Sequence, residues 1–324
     1  MTKEETHMEF HKIAAFTQEG GKVIGNPAAA IVVDQFPSDE QMGYAAKTLA
    51  EPMTSFVRPT EKPDVYEIRH FSPDGDECHI CGHATLAATK LLVMQNPEME
   101  KGTHITFLMN PKFGVSDNSN IEVEIKGNNI ALTMPAIMDL QPMTDPDFYA
   151  VLCAGLRVSE DDLIKPVYFA PRIRDLVVAF KDPNVLLSLD PDFPLLKEMA
   201  IEGKFVHEGL MGTVKSNIEG FDVINRVFLP GIDVNEDVAC GSGNCSVIPF
   251  WATKSEAFET GRENFKVVYP YPPGEKGYFG GVQALSINRQ DSTITLAGQA
   301  EHRQILKVTF PGISFGKKHT IKPT

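Results

Sequence analysis

The strongest constraint on the fold is that the chain repeats itself. Arg69-His70-Phe71-Ser72-Pro73 returns as Arg226-Val227-Phe228-Leu229-Pro230, each an Arg-x-Phe-x-Pro strand end. Twelve residues after Arg69 comes Cys81-Gly82-His83, and fourteen after Arg226 comes Cys240-Gly241-Ser242; each opens a largely apolar segment ending in a lysine, Lys90 or Lys254. A strand-like alternation begins forty residues beyond Cys81, at Ile121, and forty-two beyond Cys240, near Val282. Self-similarity at a fixed offset is a signature of repeated architecture, independent of composition. The two cysteines lie 159 residues apart in a chain of 324, so the sequence reads as two diverged copies. The expected division is 1–137 and 138–324, with Pro135 to Pro146 as linker and the last strand able to return to the first half.

Local pattern supplies the elements. Met42, Ala45, Ala46 and Leu49 recur at helical spacing after Ser38, and Gln41 is placed to complete a capping box. Ala28 to Val33, Thr54 to Arg58 and Val65 to Phe71 are short β-branched or aromatic runs bounded by Pro, Gly and Asp, and read as strands. Ala84 to Met94 is apolar on nearly every side, which predicts a helix enclosed by other structure. Ile121 to Ile125 alternates strictly, turns at Gly127-Asn128-Asn129 and continues as Ile130 to Met134, a hairpin pattern. A second hairpin is expected to turn around Arg289 to Ser292. Pro249 predicts that the second central helix is kinked or starts late.

Composition narrows the function classes. A formal charge of −13 repels a phosphate backbone, and no Lys/Arg run is long enough for a basic groove, so nucleic acid is not an expected partner. The first residues carry charge where a signal peptide needs apolar ones, and nothing approaches a membrane span; the expectation is a cytoplasmic protein. Five unevenly spread cysteines argue for reduced thiols rather than a disulfide framework.

A Gly-rich turn entering a helix presents backbone N–H groups and partial positive charge to an anion. Two such turns, Cys81-Gly82-His83 and Cys240-Gly241-Ser242-Gly243-Asn244, predict a clamp for a substrate carboxylate, and the same position is expected to lower a cysteine pKa toward neutrality. Thiols on two equivalent turns suggest a two-base mechanism: one removes a carbon-bound proton and the other delivers one. The outcome is an epimer, or a double-bond shift if different carbons are involved.

These stretches resemble the PhzF-like phenazine-biosynthesis family, related in fold to diaminopimelate epimerase and proline racemase. The matching segments are Gly25-Asn26-Pro27-Ala28-Ala29-Ala30, Thr54-Ser55-Phe56-Val57, Ile68-Arg69-His70-Phe71-Ser72-Pro73, Cys81-Gly82-His83-Ala84-Thr85-Leu86-Ala87 and Glu236 to Cys245. The resemblance covers most of the length. It implies an α+β fold of two pseudo-symmetric β-rich domains, each wrapped around a central helix, with the active site in the cleft between them, no cofactor and a homodimer. Cys81 and Cys240 fall where the epimerase and racemase relatives hold their paired catalytic thiols. The family's general acid/base Glu, in a Ser-Glu-Thr stretch, corresponds here to Met53; Glu51, two positions away, is the nearest substitute. His83 is implied as substrate contact or proton relay and Asp237 as the residue that orients it or the substrate, with Asn26, Gly82, Gly241, Ser242 and Met53 lining the substrate.

The expected function is thus a cofactor-independent isomerase or epimerase acting on a small carboxylate-bearing metabolite, with secondary-metabolite biosynthesis as its expected setting and Cys81 and Cys240 as acid/base pair. One alternative is an allylic isomerase using Glu51 or His83; another is a non-catalytic carboxylate-binding protein. Cys153 reads as an inert buried thiol, as does Cys245. Cys78, Cys81, Cys240 and Cys245 make a poor zinc set because the second pair has four intervening residues, and no metal is expected. His11, His70, His207 and His302 lack ligand spacing and are assigned no role. Tyr269-Pro270-Tyr271-Pro272-Pro273 reads as an ordered loop.

Overall fold

A computed structural model describes residues 6–18, 23–78, 81–110, 120–201, 207–232, 234–271 and 279–310. The chain forms two compact units, one of Met1–Ala15, Pro27–Leu132 and Gly298–Thr324, the other of Phe16–Asn26 and Thr133–Ala297. In chain order the first part carries β1 (Thr6–Thr17), β2 (Asn26–Val32), α1 (Asp39–Leu49), β3 (Thr54–Pro59), β4 (Val65–Phe71), α2 (Gly82–Gln95), β5 (Lys101–Met109), β6 (Asn120–Lys126) and β7 (Asn129–Pro135). Then follow β8 (Gln141–Pro142), α3 (Pro146–Leu156), β9 (Leu163–Ala170), β10 (Asp175–Phe180), α4 (Pro183–Leu187), α5 (Phe193–Ile201), β11 (Gly209–Lys215) and β12 (Val223–Leu229). The last described elements are β13 (Val234–Asp237), α6 (Asn244–Thr253), β14 (Asn264–Pro270), β15 (Phe279–Asn288) and β16 (Thr293–Phe310). The fold class is α+β, rich in strands.

The repeat read from the sequence is repeated in strand pairing. In the N-terminal unit β2 and β3 pair parallel, β3 and β4 antiparallel, β4 and β5 parallel, β5 and β6 antiparallel. In the C-terminal unit the same alternation runs through β10, β11, β12, β14 and β15. Each copy encloses one helix: α2 is buried from Gly82 to Thr89, and α6 from Asn244 to Trp251. That explains why both lack an amphipathic pattern, since a helix covered on all sides has no polar face.

The Arg-x-Phe motif has a physical reason in both copies. Residues i and i+2 of a strand share a face, so each guanidinium lies over its phenyl ring, Arg69 at 5.3 Å from Phe71 and Arg226 at 5.1 Å from Phe228. Each arginine also grips a glutamate on the segment returning beside it. Arg69 pairs with Glu77, and Arg226 Nε and Nη2 donate to Glu236 Oε1 and Oε2 at 2.7 and 2.8 Å. Phe71 packs edge-on against Phe56, which meets Phe10 in the same way; Phe228 sits in the second core with Phe148, Leu152, Val178 and Leu196.

Pro249 does not delay α6, which begins at Asn244 and runs through it. A proline removes the hydrogen bond to the carbonyl four residues earlier. That carbonyl belongs to Cys245, and it accepts instead from Ile137 N at 2.7 Å, so the backbone group is satisfied from outside the helix. The stretch read as linker carries β8, paired with β9 at Gln141–Phe169. Tyr269 and Pro270, read as loop, end β14; Pro272 and Pro273 lie outside the described residues. The capping box at α1 is present, with Ser38 Oγ accepting from Gln41 N and Ser38 N donating to Gln41 Oε1. Ser38→Ala is expected to lower stability by about 1 kcal/mol in urea unfolding, with activity unchanged.

Candidate active site

In the N-terminal unit, Cys81 caps α2 with an extended backbone, and Gly82 and His83 form the first turn. Cys81 Sγ lies 3.3 Å from His83 Nδ1, both side chains being buried. An imidazole at that distance can accept the thiol proton, so the pair can hold a thiolate. Beneath them is a histidine to which the sequence assigned nothing. His70 on β4 is fully enclosed, with Nδ1 2.9 Å from Ser55 Oγ and Nε2 3.3 Å from Thr85 Oγ1. Thr85 Oγ1 donates at 2.8 Å to the Cys81 carbonyl. Its single proton being committed there, Thr85 accepts from His70 Nε2–H, and His70 Nδ1 accepts from Ser55. Burial, with His83 nearby, holds the His70 pKa down at about 3. His70 is a neutral strut under the thiol's helix turn.

In the C-terminal unit the segment 240–243 folds back on its own thiol. Gly243 N donates to Cys240 Sγ at 3.3 Å, and Ser242 Oγ lies 3.6 Å from it. The two cysteines thus share a plan, a thiol at the entry to the buried helix with a polar partner two residues on. Three donors fix the Cys240 carbonyl: Tyr269 Oη at 2.7 Å, Gln283 Nε2 at 3.2 Å and Asn244 Nδ2 at 3.3 Å. Asn26 Nδ2 donates to Asp237 Oδ1 at 2.7 Å and to the Ala239 carbonyl at 2.9 Å, fastening the segment that leads into the turn. Asn26 Oδ1 is buried with no hydrogen-bond partner among the described residues.

The expectation that both helix entries lower the thiol pKa is corrected at Cys240. Burial, then Asp237 and Asp175, push that thiol well above its usual range; the donors at Gly243 and Ser242 pull the other way but are outweighed. A thiol out of water beside two carboxyl groups stays protonated, whatever the helix dipole adds.

The predicted residues fall into two groups. Cys81, Gly82 and His83 stand together in one unit; Asn26, Asp237, Cys240, Gly241 and Ser242 stand together in the other. Glu51 follows the left-handed C-cap of α1, is buried and holds Lys12 Nζ at 2.7 Å. Met53 is half-buried, and its carbonyl accepts from Ala29 N at 2.9 Å. Ser55, His70 and Thr85 lie within the matching stretches but were given no role, because only the folded strands and helix bring them together; Tyr269 and Gln283 come from strands with no motif of their own. Among the described residues, no three His, Cys, Asp or Glu side chains are placed to hold a metal ion, and no helix is long and apolar enough to cross a membrane.

Solved structures share this architecture. A phenazine biosynthesis PhzF family protein of Enterococcus faecalis superposes with a TM-score of 0.71 at 22% identity, covering 94% of this chain and 99% of its own. A hydroxyproline epimerase of Agrobacterium vitis gives 0.59 at 10% identity, covering 95% and 94%. In sequence, an uncharacterized isomerase of Halalkalibacterium halodurans is 31% identical over 288 residues, 89% of this chain and 93% of its own. Another from Pseudomonas aeruginosa is 29% identical over 71% of this chain and 77% of its own. Fold and relatives define an enzyme of the isomerase class built on the epimerase fold. Residues 13–301 match the phenazine biosynthesis-like protein family, and the chain belongs to it.

Proposed function

We propose that this isomerase moves a carbon-bound proton on a small carboxylate-bearing metabolite, with Cys81 and Cys240 exchanging the protons. The observation that carries the reading is the unlike setting of two thiols at equivalent points of a repeat. Cys81 touches an imidazole that can take its proton, whereas Cys240 is kept protonated by burial first and by Asp237 second. A two-base reaction needs one group of each kind at the start, and pairs of titratable groups driven apart by their surroundings mark acid and base. The Cys81 thiolate takes the proton, breaking C–H and forming S–H; the Cys240 thiol gives one, breaking S–H and forming C–H. No oxidant, metal or cofactor enters that balance. Backbone N–H groups at Gly82, Gly241 and Ser242 bind the carboxylate, and a homodimer is the working assembly in this reading.

The experiment is proton NMR of amino acids, hydroxy acids and cyclic carboxylates in deuterated water, with wild type, Cys81→Ser and Cys240→Ser. Exchange by wild type and a loss of about a hundredfold or more in each variant supports the thiol pair. Undiminished exchange in both variants refutes it and points to His83 or Glu51. Met53, where the family's glutamate stands, favours a second reading as a silent carboxylate-binding protein; ligand binding without any deuterium incorporation is its expected outcome.

A further inference from the structure

The repeat also shows where an acid stands in the C-terminal unit. Phe71 and Phe228 are equivalent in the two motifs; Phe71 pairs with Thr54 and Phe228 with Leu210. One residue earlier, Met53 is therefore the counterpart of Gly209. The parallel neighbours follow suit: Ala29 pairs with Thr54 and Leu176 with Leu210, and Asp175 stands beside Gly209. Asp175 is buried, 7% exposed. A Cβ built on Gly209 would lie 2.8 Å from Asp175 Oδ1, so the carboxyl leans into the space that the missing side chain leaves. The same point is 2.7 Å from Met211 Cε; a Cβ on Gly243 would lie 2.3 Å from Met211 Sδ and 3.4 Å from Cys240 Sγ. Met211 thus has its Cε on the carboxyl's side and its Sδ on the thiol's side, between two glycines that leave it room.

We propose that Asp175 is a positioning residue of the C-terminal unit, its carboxyl controlling the charge of the Cys240 thiol across Met211. It rests on reading Cys240 as an acid/base thiol. A neutral carboxyl permits the thiolate and an ionised one opposes it, because like charges in a dry site repel strongly. Among the described residues, the other titratable groups bearing on this point come from several elements. Just ahead of β11 and β10 they are Glu208 and its partner Arg174; α6 gives Cys245; and the strands β13 and β14 give Asp237 and Tyr269. Burial, then Glu208, pushes the Asp175 pKa up to about 8, so the carboxyl changes charge within the working range of an enzyme. Asp175 is a positioning residue for charge and is not placed on the substrate.

The test is alkylation of the whole chain by iodoacetamide from pH 6 to 10, with the rate at each cysteine read by peptide mass spectrometry. It uses no substrate, so failure of the isomerase reading leaves it intact. In Asp175→Asn, Cys240 is expected to react about threefold or more faster at pH 9 than in wild type, converging below pH 7. Cys153, which faces Glu160 and Asp162 instead, is the internal control. Superimposable profiles at Cys240, including two flat ones, overturn the proposal. Should Asp175→Asn not fold, Glu208→Gln serves: by lowering the Asp175 pKa it must slow Cys240 alkylation between pH 7 and 8, and no change there overturns the proposal as well.

Discussion

Arg226→Met is expected to destabilise the protein by about 3 to 5 kcal/mol, against a smaller loss for Arg69→Met. Arg226 is 3% exposed and satisfies four acceptors: both oxygens of Glu236 and the carbonyls of Leu186 and Leu189. The substitution keeps the aliphatic volume but leaves Glu236 as a largely buried carboxylate with no cation, and two carbonyls lose their donor. Removing one member of a buried pair costs more than the pair itself contributes, because the remaining charge is stranded. Arg69 has the same geometry in a wetter place. Its side chain is 15% exposed, its partner Asp39 is 80% exposed, and Glu77, though only 8% exposed, keeps the Asn110 amide, whose Nδ2 donates to both its oxygens at 3.1 and 3.2 Å, so part of what is lost is replaced. Urea unfolding midpoints read the ranking; equal losses would contradict it. Because β13 runs from Glu236 into Asp237, Arg226→Met should also weaken the Asp237–Asn26 bond ahead of Cys240, lowering activity beyond the loss of folded protein.

The repeat was the most legible part of the sequence because it is local. Arg-x-Phe-x-Pro needs only a strand and its neighbour, and a thiol at a helix entry needs only the next few residues. The pairing of Arg69 with Glu77 and Arg226 with Glu236 was within reach too: both glutamates lie a short turn beyond the motif. What stayed hidden depends on strands far apart in the chain. His70 looked idle because Ser55 and Thr85, which complete it, lie 15 residues away on either side. Asp175 drew no reading, because nothing beside it in the chain marks it: it meets Gly209, 34 residues on, only through strand pairing. The Cys240 shift was misjudged for the same reason: helix position is visible in a sequence, whereas the two carboxyls and the loss of water come from packing. Where local rules and packing disagreed, packing won by the larger electrostatic effect.

His70 gives the sharpest pH dependence expected of this fold. In the unfolded chain its pKa is 6.5; in the folded protein, burial first and His83 second depress it to about 3. Between these values the unfolded state binds a proton that the folded state refuses, so stability is fully present above 6.5 and is lost as pH falls toward 3. From pH 7 to pH 5 the loss assignable to this one side chain is about 2 kcal/mol. Asp175 acts in the opposite sense: its folded pKa is raised above the unfolded value, so its proton is held more tightly in the folded state and stability is gained as pH falls below 8. The two buried groups partly cancel, and the wild-type pH curve between 5 and 7 should look deceptively flat. Urea unfolding of wild type and His70→Gln at both pH values separates them. Glutamine can still meet Ser55 and Thr85, so the variant's change from pH 7 to 5 should be more favourable than wild type's by about 2 kcal/mol. An unchanged difference would mean that His70 titrates normally, which a side chain sealed under α2 between two hydroxyls has no water to do.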